Sequence, residues 1–497
     1  FALVGVFILI MAVVNFVNLA TARASYRTME VSIRKVVGAG RGDLMLQFLL
    51  ESLMISSIAL IIALPLTQLL LPSFNEIIGK SISLSIFTTP FGITILFAIP
   101  IFLGVISGIY PALYLSGFGP TSIIKKFNAK RGRESIRQIL VIGQFIIAVI
   151  LMIGTITVYR QMHYITNKPL GFDKDQLIKI DKLPFIDEKI DVFKQEAKNI
   201  TGILGVSTSN FPLDDVRSGS TISTTPDDEG WVNTTYMTID ENYLPTMGIR
   251  LVAGRNFLAE EVELTSEGPQ KILLNEASVR ALNLRPDSIV NMELYDVIGV
   301  KCLVVGVIED FQYESLRNPV EPLQLSSVKI GAPFRSATIK LDPRQMKESL
   351  SELEELWRTL APDKVFDYEY MDASMAQYYE SERLAGKLFL IFSGLGIFVC
   401  CLGLFGLMGY VVEQRSKEVG IRKVLGARIR NIVLLLSRDY IRLVLISSFI
   451  AIPISWWGLN KWLDGFAFRT ENSIWIFFLG GLLVTLISWL TVAIYAY

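Results

Sequence analysis

The sequence predicts an α-helical polytopic membrane protein of about seven transmembrane helices, with one extracytoplasmic α/β domain inserted between them. Three observations predict it. The 497 residues are 51% hydrophobic with a mean hydropathy of +0.46, and the excess is gathered in runs. Several runs reach the ~20 apolar residues that a helix needs to cross a bilayer. Residues 160–383 have a different, mixed character, with short alternating runs and turn signals. One charged segment also occurs twice. RTMEVSIRKVVGA at 27–39 and RSKEVGIRKVLGA at 415–427 share nine of thirteen residues. The register then holds without a gap, so that Asp43 falls on Asn431, Glu51 on Asp439 and Pro65 on Pro453. A duplication of this kind fixes the architecture before any single element is assigned.

The spans follow in order at 1–20, 44–71, 91–115, 139–158, 388–412, 432–457 and 474–495. Asn15 and Asn18, near the end of the first, are expected to bond to a neighbouring helix or to mark the interface. Pro65 is expected to kink the second span, which packed neighbours tolerate. Residues 72–90 read as a short polar loop. The third span contains Pro100 and Pro111, and Lys125, Lys126, Lys130, Arg131 and Arg133 form a basic connection to the fourth. Gly394, Gly396, Gly403, Gly406 and Gly409 in the fifth span predict close helix packing.

Positive charge sets the orientation. Arg23, Arg27, Arg34, Lys35 and Arg41 lie in the first repeat loop, and Arg415, Lys417, Arg422, Lys423, Arg428 and Arg430 in the second. Span parity puts these loops and the basic 116–135 loop on one side, the cytoplasm. The 160–383 domain falls on the other. Within it QLIKID (176–181), WVNTTYMTID (231–240), KCLVVGVIED (301–310) and VFDYEYMD (365–372) read as strands. Residues 186–200 and 346–360 read as amphipathic helices, the second with Leu350, Leu353, Leu356 and Leu360 on one face. A charged helix over 373–387 is expected to run into the fifth span, and a two-layer sheet is the simplest packing.

Each repeat segment has a mechanical design. Glu30–Arg34 and Glu418–Arg422 are spaced i, i+4 with the acid N-terminal, the favourable order on a helix. Ile33, Val36 and Val37, and Ile421, Val424 and Leu425, make an apolar face beside the charged one. Gly38 and Gly426 stand where a helix C-cap is wanted, and Asp43 and Asn431 where the next helix wants an N-cap. Each copy therefore reads as a short amphipathic helix, a tight break and a new helix entering the membrane. Orientation alone needs only positive charge, whereas a docking surface needs this fixed apolar, acid and base pattern.

E-V-x-I-R-K-V-x-G-A after a membrane helix resembles the FtsX-like permease domain of ABC transporters of the MacB/LolCE kind. NKPLGFDKDQLIKID (167–181), MGIRLVAGRNF (247–257), LLNEASVRALNL (273–284), GVIEDFQYESLRNPVEPL (306–323) and FDYEYMDASMAQYYESERLAGKLFLIFS (366–393) resemble the MacB-like periplasmic domain of long, two-half permeases common in Bacteroidetes. The resemblance implies a first permease unit plus a further helix at 1–159, a periplasmic domain at 160–383 and a second permease unit at 384–497. It also implies an N-terminally truncated chain. Because the sequence begins with Phe1 inside an apolar run, more chain is expected before it.

The resemblance further implies an inner-membrane permease subunit. It would work with a separate cytoplasmic ABC ATPase dimer, which carries ATP-Mg, while this chain carries no cofactor. Glu30, Ile33, Arg34, Lys35 and Gly38, with Glu418, Ile421, Arg422, Lys423 and Gly426, are implied to contact that ATPase. The periplasmic domain would move with the ATPase cycle to export or extract an envelope substrate. Membrane lipid and a periplasmic or outer-membrane protein are the other implied partners. An FtsX-like regulator that activates a cell-envelope enzyme is the alternative.

The residues exclude several other chemistries. No G-x-x-x-x-G-K-[ST] loop is present, and VGAGRGD (37–43) follows a helix rather than a strand. Net charge is zero, so no global field points to nucleic acid. His163 is the single histidine, read as a stalk residue near the membrane surface, and no nitrogen–sulfur metal set can be built around it. Cys302, Cys400 and Cys401 make no disulfide framework. The acidic pairs Asp214–Asp215, Asp227–Asp228–Glu229 and Glu260–Glu261 read as solvated loop residues without ligand spacing. Arg438, Asp439 and Arg442 lie near the cytoplasmic end of their span. No span carries a charge at its centre, which argues against an ion channel.

Overall fold

The computed structural model describes residues 2–496 except 117–128, 187–188, 217, 227–229, 263–268, 297–298, 328–333, 415, 426–428 and 472. The chain divides into two compact units. One comprises Phe1–Met162, Glu382–Leu463 and Thr470–Tyr497, the other His163–Ser381 with Asp464–Arg469.

The first unit is helical. It opens with α1 (Ala2–Val36), α2 (Arg41–Ile78), α3 (Pro90–Ser116) and α4 (Ala129–Asn167). Among the described residues six helices are long and apolar enough to cross a membrane, and Val4–Ala20 of α1 adds a shorter apolar helix. Two predicted boundaries move. α2 continues through Pro65 and Pro72 to Ile78 and stops at Gly79 in the left-handed region (φ 62°), so the polar loop starts later than 72. The residues after Pro72 keep a helical apolar pattern (Phe74, Ile77, Ile78), and a glycine suited to positive φ ends it. α1 likewise runs through the first repeat segment instead of breaking before it. Residues 21–29 contain neither glycine nor proline, so nothing stops the helix.

The second unit carries α5 (Ile190–Asn199), α6 (Tyr243–Met247), α7 (Ala259–Val262), α8 (Glu276–Ala281), α9 (Pro286–Ile289), α10 (Met346–Leu360) and α11 (Met371–Gln377). Its strands are β1 (Leu177–Ile180), β2 (Ile203–Ser209), β3 (Gly219–Ser223), β4 (Val232–Thr238), β5 (Leu251–Gly254), β6 (Gln270–Asn275), β7 (Glu293–Asp296), β8 (Lys301–Ile308), β9 (Leu323–Ser326), β10 (Ser336–Leu341) and β11 (Glu369–Tyr370). They form two sheets in place of the expected single one. An antiparallel sheet of order β11-β1-β10-β2 carries α5 and α10, whose Phe193 and Trp357 meet edge to face at 6.0 Å over Ile178, Ile180 and Ile339. The other sheet has the order β5-β8-β6-β9-β4-β3-β7. β8 also pairs with β7, along Lys301–Leu303, before it pairs with β5 along Gly306–Ile308. This pairing closes a ring of strands and removes a free edge.

Most predicted strands and helices fall where expected. VFDYEYMD is the exception, because only Glu369 and Tyr370 pair, and Met371 begins α11. The charged helix at 373–387 is therefore two pieces, α11 and the start of α12.

The chain returns through α12 (Glu380–Gln414), α13 (Ser416–Val424), α14 (Ile429–Leu463) and α15 (Ile474–Ala496). One core joins α1, α4, α12, α14 and α15, with Met11, Phe145, Val149, Ile153, Leu407, Met408, Val444 and Ala451 buried in it. The predicted glycine packing is borne out at Gly396, Gly403 and Gly406 but not at Gly394, where a β-carbon would meet nothing within 4 Å. A β-carbon at Gly396 would lie 2.9 Å from Met11 Cε, one at Gly403 2.5 Å from Asn15 Oδ1, and one at Gly406 against Leu19. α2 and α3 use the same device, since a β-carbon at Gly104 would stand 2.9 Å from Leu53 Cα and one at Gly108 2.8 Å from Ser52 Oγ. The bonds expected of Asn15 and Asn18 are not seen. Asn15 Oδ1 and both polar side-chain atoms of Asn18 are buried without a hydrogen-bond partner among the described residues, as is Gln144 Nε2.

Candidate functional site

The first repeat segment is the last turns of α1. Arg34 Nη2 and Glu30 Oε1 stand 2.7 Å apart across one turn, both about half exposed. Arg34 also donates to Gln47 Oε1 on α2. Val31, one turn before Arg34, is buried with Leu44, Phe48 and Ala112, which ties the segment to α2 and α3. Helix α1 then ends in a Schellman motif. The Ala39 N–H donates to Arg34 O at 2.9 Å and the Gly38 N–H to Lys35 O at 3.1 Å. Gly38 takes φ +103° with open space around it, as a C′ residue requires. Asp43 caps α2, but from the third helical position. Its Oδ2 accepts from the Gly40 N–H at 3.0 Å, so Gly40 is the N-cap and the prediction shifts by one turn.

The second segment repeats this surface on α13. Arg422 Nη2 and Glu418 Oε1 are 2.8 Å apart. Asn431 is the third residue of α14, matching Asp43 in register rather than serving as N-cap. Gly426 lies outside the described residues, as do Arg415 and Arg428, and Lys423 is described for its backbone position on α13 alone. Ile33 is 55% exposed and Val37 83%, and their counterparts Ile421 and Leu425 are 63% and 80% exposed. Val36 and Val424 are more exposed than Ile33 and Ile421. Two matched apolar patches, each beside an i, i+4 ion pair, thus stand at the same register of the repeat. Lys35 is half-buried beside the first patch. The ion pairs themselves add only about 0.3–0.5 kcal/mol each at such exposure, so they contribute little to stability. Gln47 and the burial of Val31 were not foreseen from sequence, and no local motif marks them.

The α/β unit holds a cavity of about 840 Å³ lined by Lys168, Arg250, Arg280, Asp173, Glu309 and Asp310 among others. Its charges are satisfied internally. Arg280 pairs with Asp310, Arg250 with Glu309 at 2.7 Å and Asp173 with Lys340 at 2.7 Å. Lys168 Nζ sits 3.5 Å above the Phe468 ring. Elsewhere in the unit the fully buried Asp240 carboxylate meets Lys194 at 2.5 Å and accepts the Thr208 N–H at 2.9 Å. Burial raises its pKa and Lys194 opposes the rise. Burial also pushes the Cys302 thiol up to about 12, so it is a packed apolar side chain. Asp227, Asp228 and Glu229 lie outside the described residues, and no cluster of three metal-ligating side chains occurs among the described ones.

The FtsX-like permease C-terminal family matches residues 2–120 and 390–497, and each matched segment carries one copy of the repeat. The macrolide export ATP-binding/permease protein MacB of Campylobacter jejuni subsp. jejuni serotype O:23/36 (strain 81-176) is 30% identical over 125 residues, which are 25% of this chain and 19% of that protein. The MacB of Mannheimia succiniciproducens is 25% identical over 217 residues, 41% of this chain and 32% of that one. The chain thus spans a fifth to a third of the length of these curated relatives. Among solved structures, the periplasmic region of MacB from Actinobacillus actinomycetemcomitans is 16% identical, with a TM-score of 0.30, covering 43% of this chain and 96% of that one. The extracellular domain of the noncanonic ABC-type transporter YknZ from Gram-positive bacteria is 12% identical, with a TM-score of 0.27, covering 36% and 87%.

Proposed function

Because residues 2–120 and 390–497 match the FtsX-like permease C-terminal family and part of the chain is similar to MacB, we propose that it is a multi-pass permease of the FtsX/MacB-like kind, the membrane subunit of an ABC transporter driven by a separate cytoplasmic ATPase dimer. The two repeat elements are its docking points. Glu30, Ile33, Arg34, Lys35 and Gly38 form one, and Glu418, Ile421, Arg422, Lys423 and Gly426 the other. ATP-Mg binds and is hydrolysed on the partner, not on this chain. The α/β domain stands on the periplasmic side of the inner membrane, where it engages an envelope substrate or protein partner.

The observation that carries the reading is the pair of exposed apolar patches, each flanked by an ion pair and set at one register of a duplicated segment. Exposed large aliphatic side chains at the end of a membrane helix are stable in water only at a cost of roughly 25 cal/mol per Å². A partner with an apolar groove and an acidic rim removes that cost. Two similar elements suit the two similar faces of a dimer. ATPase closure would pull on α1 and α13, and the motion would reach the domain through the two covalent joints, α4 leading into it and α12 leading out. Movement of this kind needs no charged pathway through the bilayer.

The test is co-purification of the chain with the ATPase whose gene neighbours its own, followed by Arg34→Glu together with Arg422→Glu. The expected result is at least a tenfold loss of complex and of coupled ATPase activity. Survival of both would refute the docking role.

A further inference from the structure

Asn15 of α1 and Gln144 of α4 meet beside Gly403 of α12 without bonding. Asn15 Oδ1 is a buried acceptor and Gln144 Nε2 a buried donor, and neither has a hydrogen-bond partner among the described residues. A β-carbon at Gly403 would lie 2.5 Å from the acceptor and 3.4 Å from the donor, so the two stand within about 6 Å of each other, against about 2.9 Å for a hydrogen bond. Polar atoms left unpaired in an apolar helix core are costly, and here a complementary pair is left apart. Asn18, one turn further along α1, has both polar side-chain atoms in the same condition. At the register positions of Asn15 and Asn18 the second copy has Gly403 and Gly406, so α12 offers α1 a surface of small residues. Gln144 itself is held in place. Cys400 Sγ of α12 donates to Gln144 O at 3.7 Å, Thr155 Oγ1 of α4 lies 3.2 Å from Phe389 O of α12, and Ser447 Oγ of α14 lies 3.1 Å from Ile142 O of α4. These contacts join α4, α12 and α14 into one block, and α1 packs against it.

We infer that Asn15 and Gln144 are the two halves of a latch between α1 and this block, open in the structure and closed by a hydrogen bond when α1 shifts along α12. Packed helices commonly move by about 1–2 Å against one another, and with a turn of the two side chains that is enough to bring donor to acceptor. Gly403 leaves the path free, because it places no side chain between them. In apolar surroundings the bond is strong once made, so α1 has two discrete stops rather than a continuous slide. α1 is one helix from Ala2 to Val36 and ends in the first repeat element. Force on Arg34 therefore reaches Asn15 along a continuous rod, and the latch passes the shift to α4, which leads into the α/β unit. The inference rests on the docking reading for what moves α1, and on the geometry at Gly403 for the latch itself.

The full chain in lipid nanodiscs tests it, alone and with the co-purified ATPase. Alone, Asn15→Leu and Gln144→Met should each raise the unfolding temperature by about 2–4 °C, additively, because each replaces an unpaired buried amide by an apolar side chain of similar shape. A fall in either variant, or clear non-additivity, shows a pair already bonded and overturns the inference. With the ATPase, ATP turnover should fall at least about fivefold in either variant and no further in the double. Asn15→Gln combined with Gln144→Asn keeps a donor and an acceptor, and should restore at least about half of the turnover. Unchanged turnover in both single variants, multiplied losses in the double or failure of the rescue overturns the latch. Absence of any complex with the unsubstituted chain overturns the docking reading instead, and the unfolding temperatures still judge whether the pair is open.

Discussion

Asn15 and Gly403 occupy the same register position in the two copies of the repeat, and they touch, with a β-carbon at Gly403 falling 2.5 Å from Asn15 Oδ1. Two equivalent positions meet only where equivalent helices cross on their symmetry axis. Met11 lies against Gly396 on the same two helices, a β-carbon there falling 2.9 Å from Met11 Cε. The equivalent helices α1 and α12 therefore cross at equivalent positions, where the sequence sets an asparagine against a glycine.

That crossing has no room for a side chain on both helices. Gly403→Val is expected to destabilise the chain by about 1–3 kcal/mol through overpacking. Gly403→Ala combined with Asn15→Ala should recover most of the loss suffered by Gly403→Ala alone. Thermal unfolding of the three variants in detergent measures it, and additive effects of the two alanines would disprove the contact.

Gly38 is required by conformation alone. It sits at φ +103° with nothing within 4 Å of its would-be β-carbon. Gly38→Ala should therefore cost about 1 kcal/mol. Gly42→Ala, inside α2 and equally unobstructed, should be neutral or stabilise by roughly 0.5–1 kcal/mol. Exchange protection at Ala39 separates the two, because the Schellman bond to Arg34 exists only in the capped form.

The buried pair in the α/β unit is brittle. Lys194→Met leaves the Asp240 carboxylate buried without its cation, and a loss of about 3–5 kcal/mol is expected. Lys194→Met with Asp240→Leu should be far milder than Lys194→Met alone. Denaturant midpoints of the full chain decide between this outcome and additivity.

Acid should weaken the same unit through Glu261. Two hydrogen bonds from Arg255, at 2.6 and 2.8 Å, hold its pKa below 4.5, against the opposing effect of burial. The unfolded chain binds a proton there more readily than the folded one. The stabilisation is thus complete above the unfolded pKa and lost as pH falls through the folded value. Glu261→Gln should flatten the acid limb of the stability curve below about pH 4.5, while a parallel limb in both proteins would refute the assignment.

Much of this was legible in the sequence. The spans announced themselves because a helix in lipid must be apolar over its whole length. Residues 346–360 were placed to the residue because a 3.6-residue period over four turns is hard to mistake. Gly38 was recognised because only a C-cap explains a glycine after Arg-Lys-Val-Val. Asp43 was misplaced by a turn, since an acid serves equally at the N-cap and at the third position. The closed strand ring depends on β3 pairing with β7, Ile222 opposite Asp296, between segments far apart in sequence that carry no mutual signal. Residues 464–469 join the α/β unit through the Ala467 N–H to Arg317 O and the Phe468 N–H to Leu316 O, backbone contacts that no side-chain pattern encodes. Gln47 was invisible for the same reason, because one amide on a membrane helix has many possible partners.

Both apolar patches belong to one polypeptide. Under the proposed docking, engaging the first would turn engagement of the second into an intramolecular step, at an effective concentration set by the chain rather than by the amount of partner. A dimeric partner would then dissociate only when both contacts are open together, and its residence time would exceed that of either contact alone.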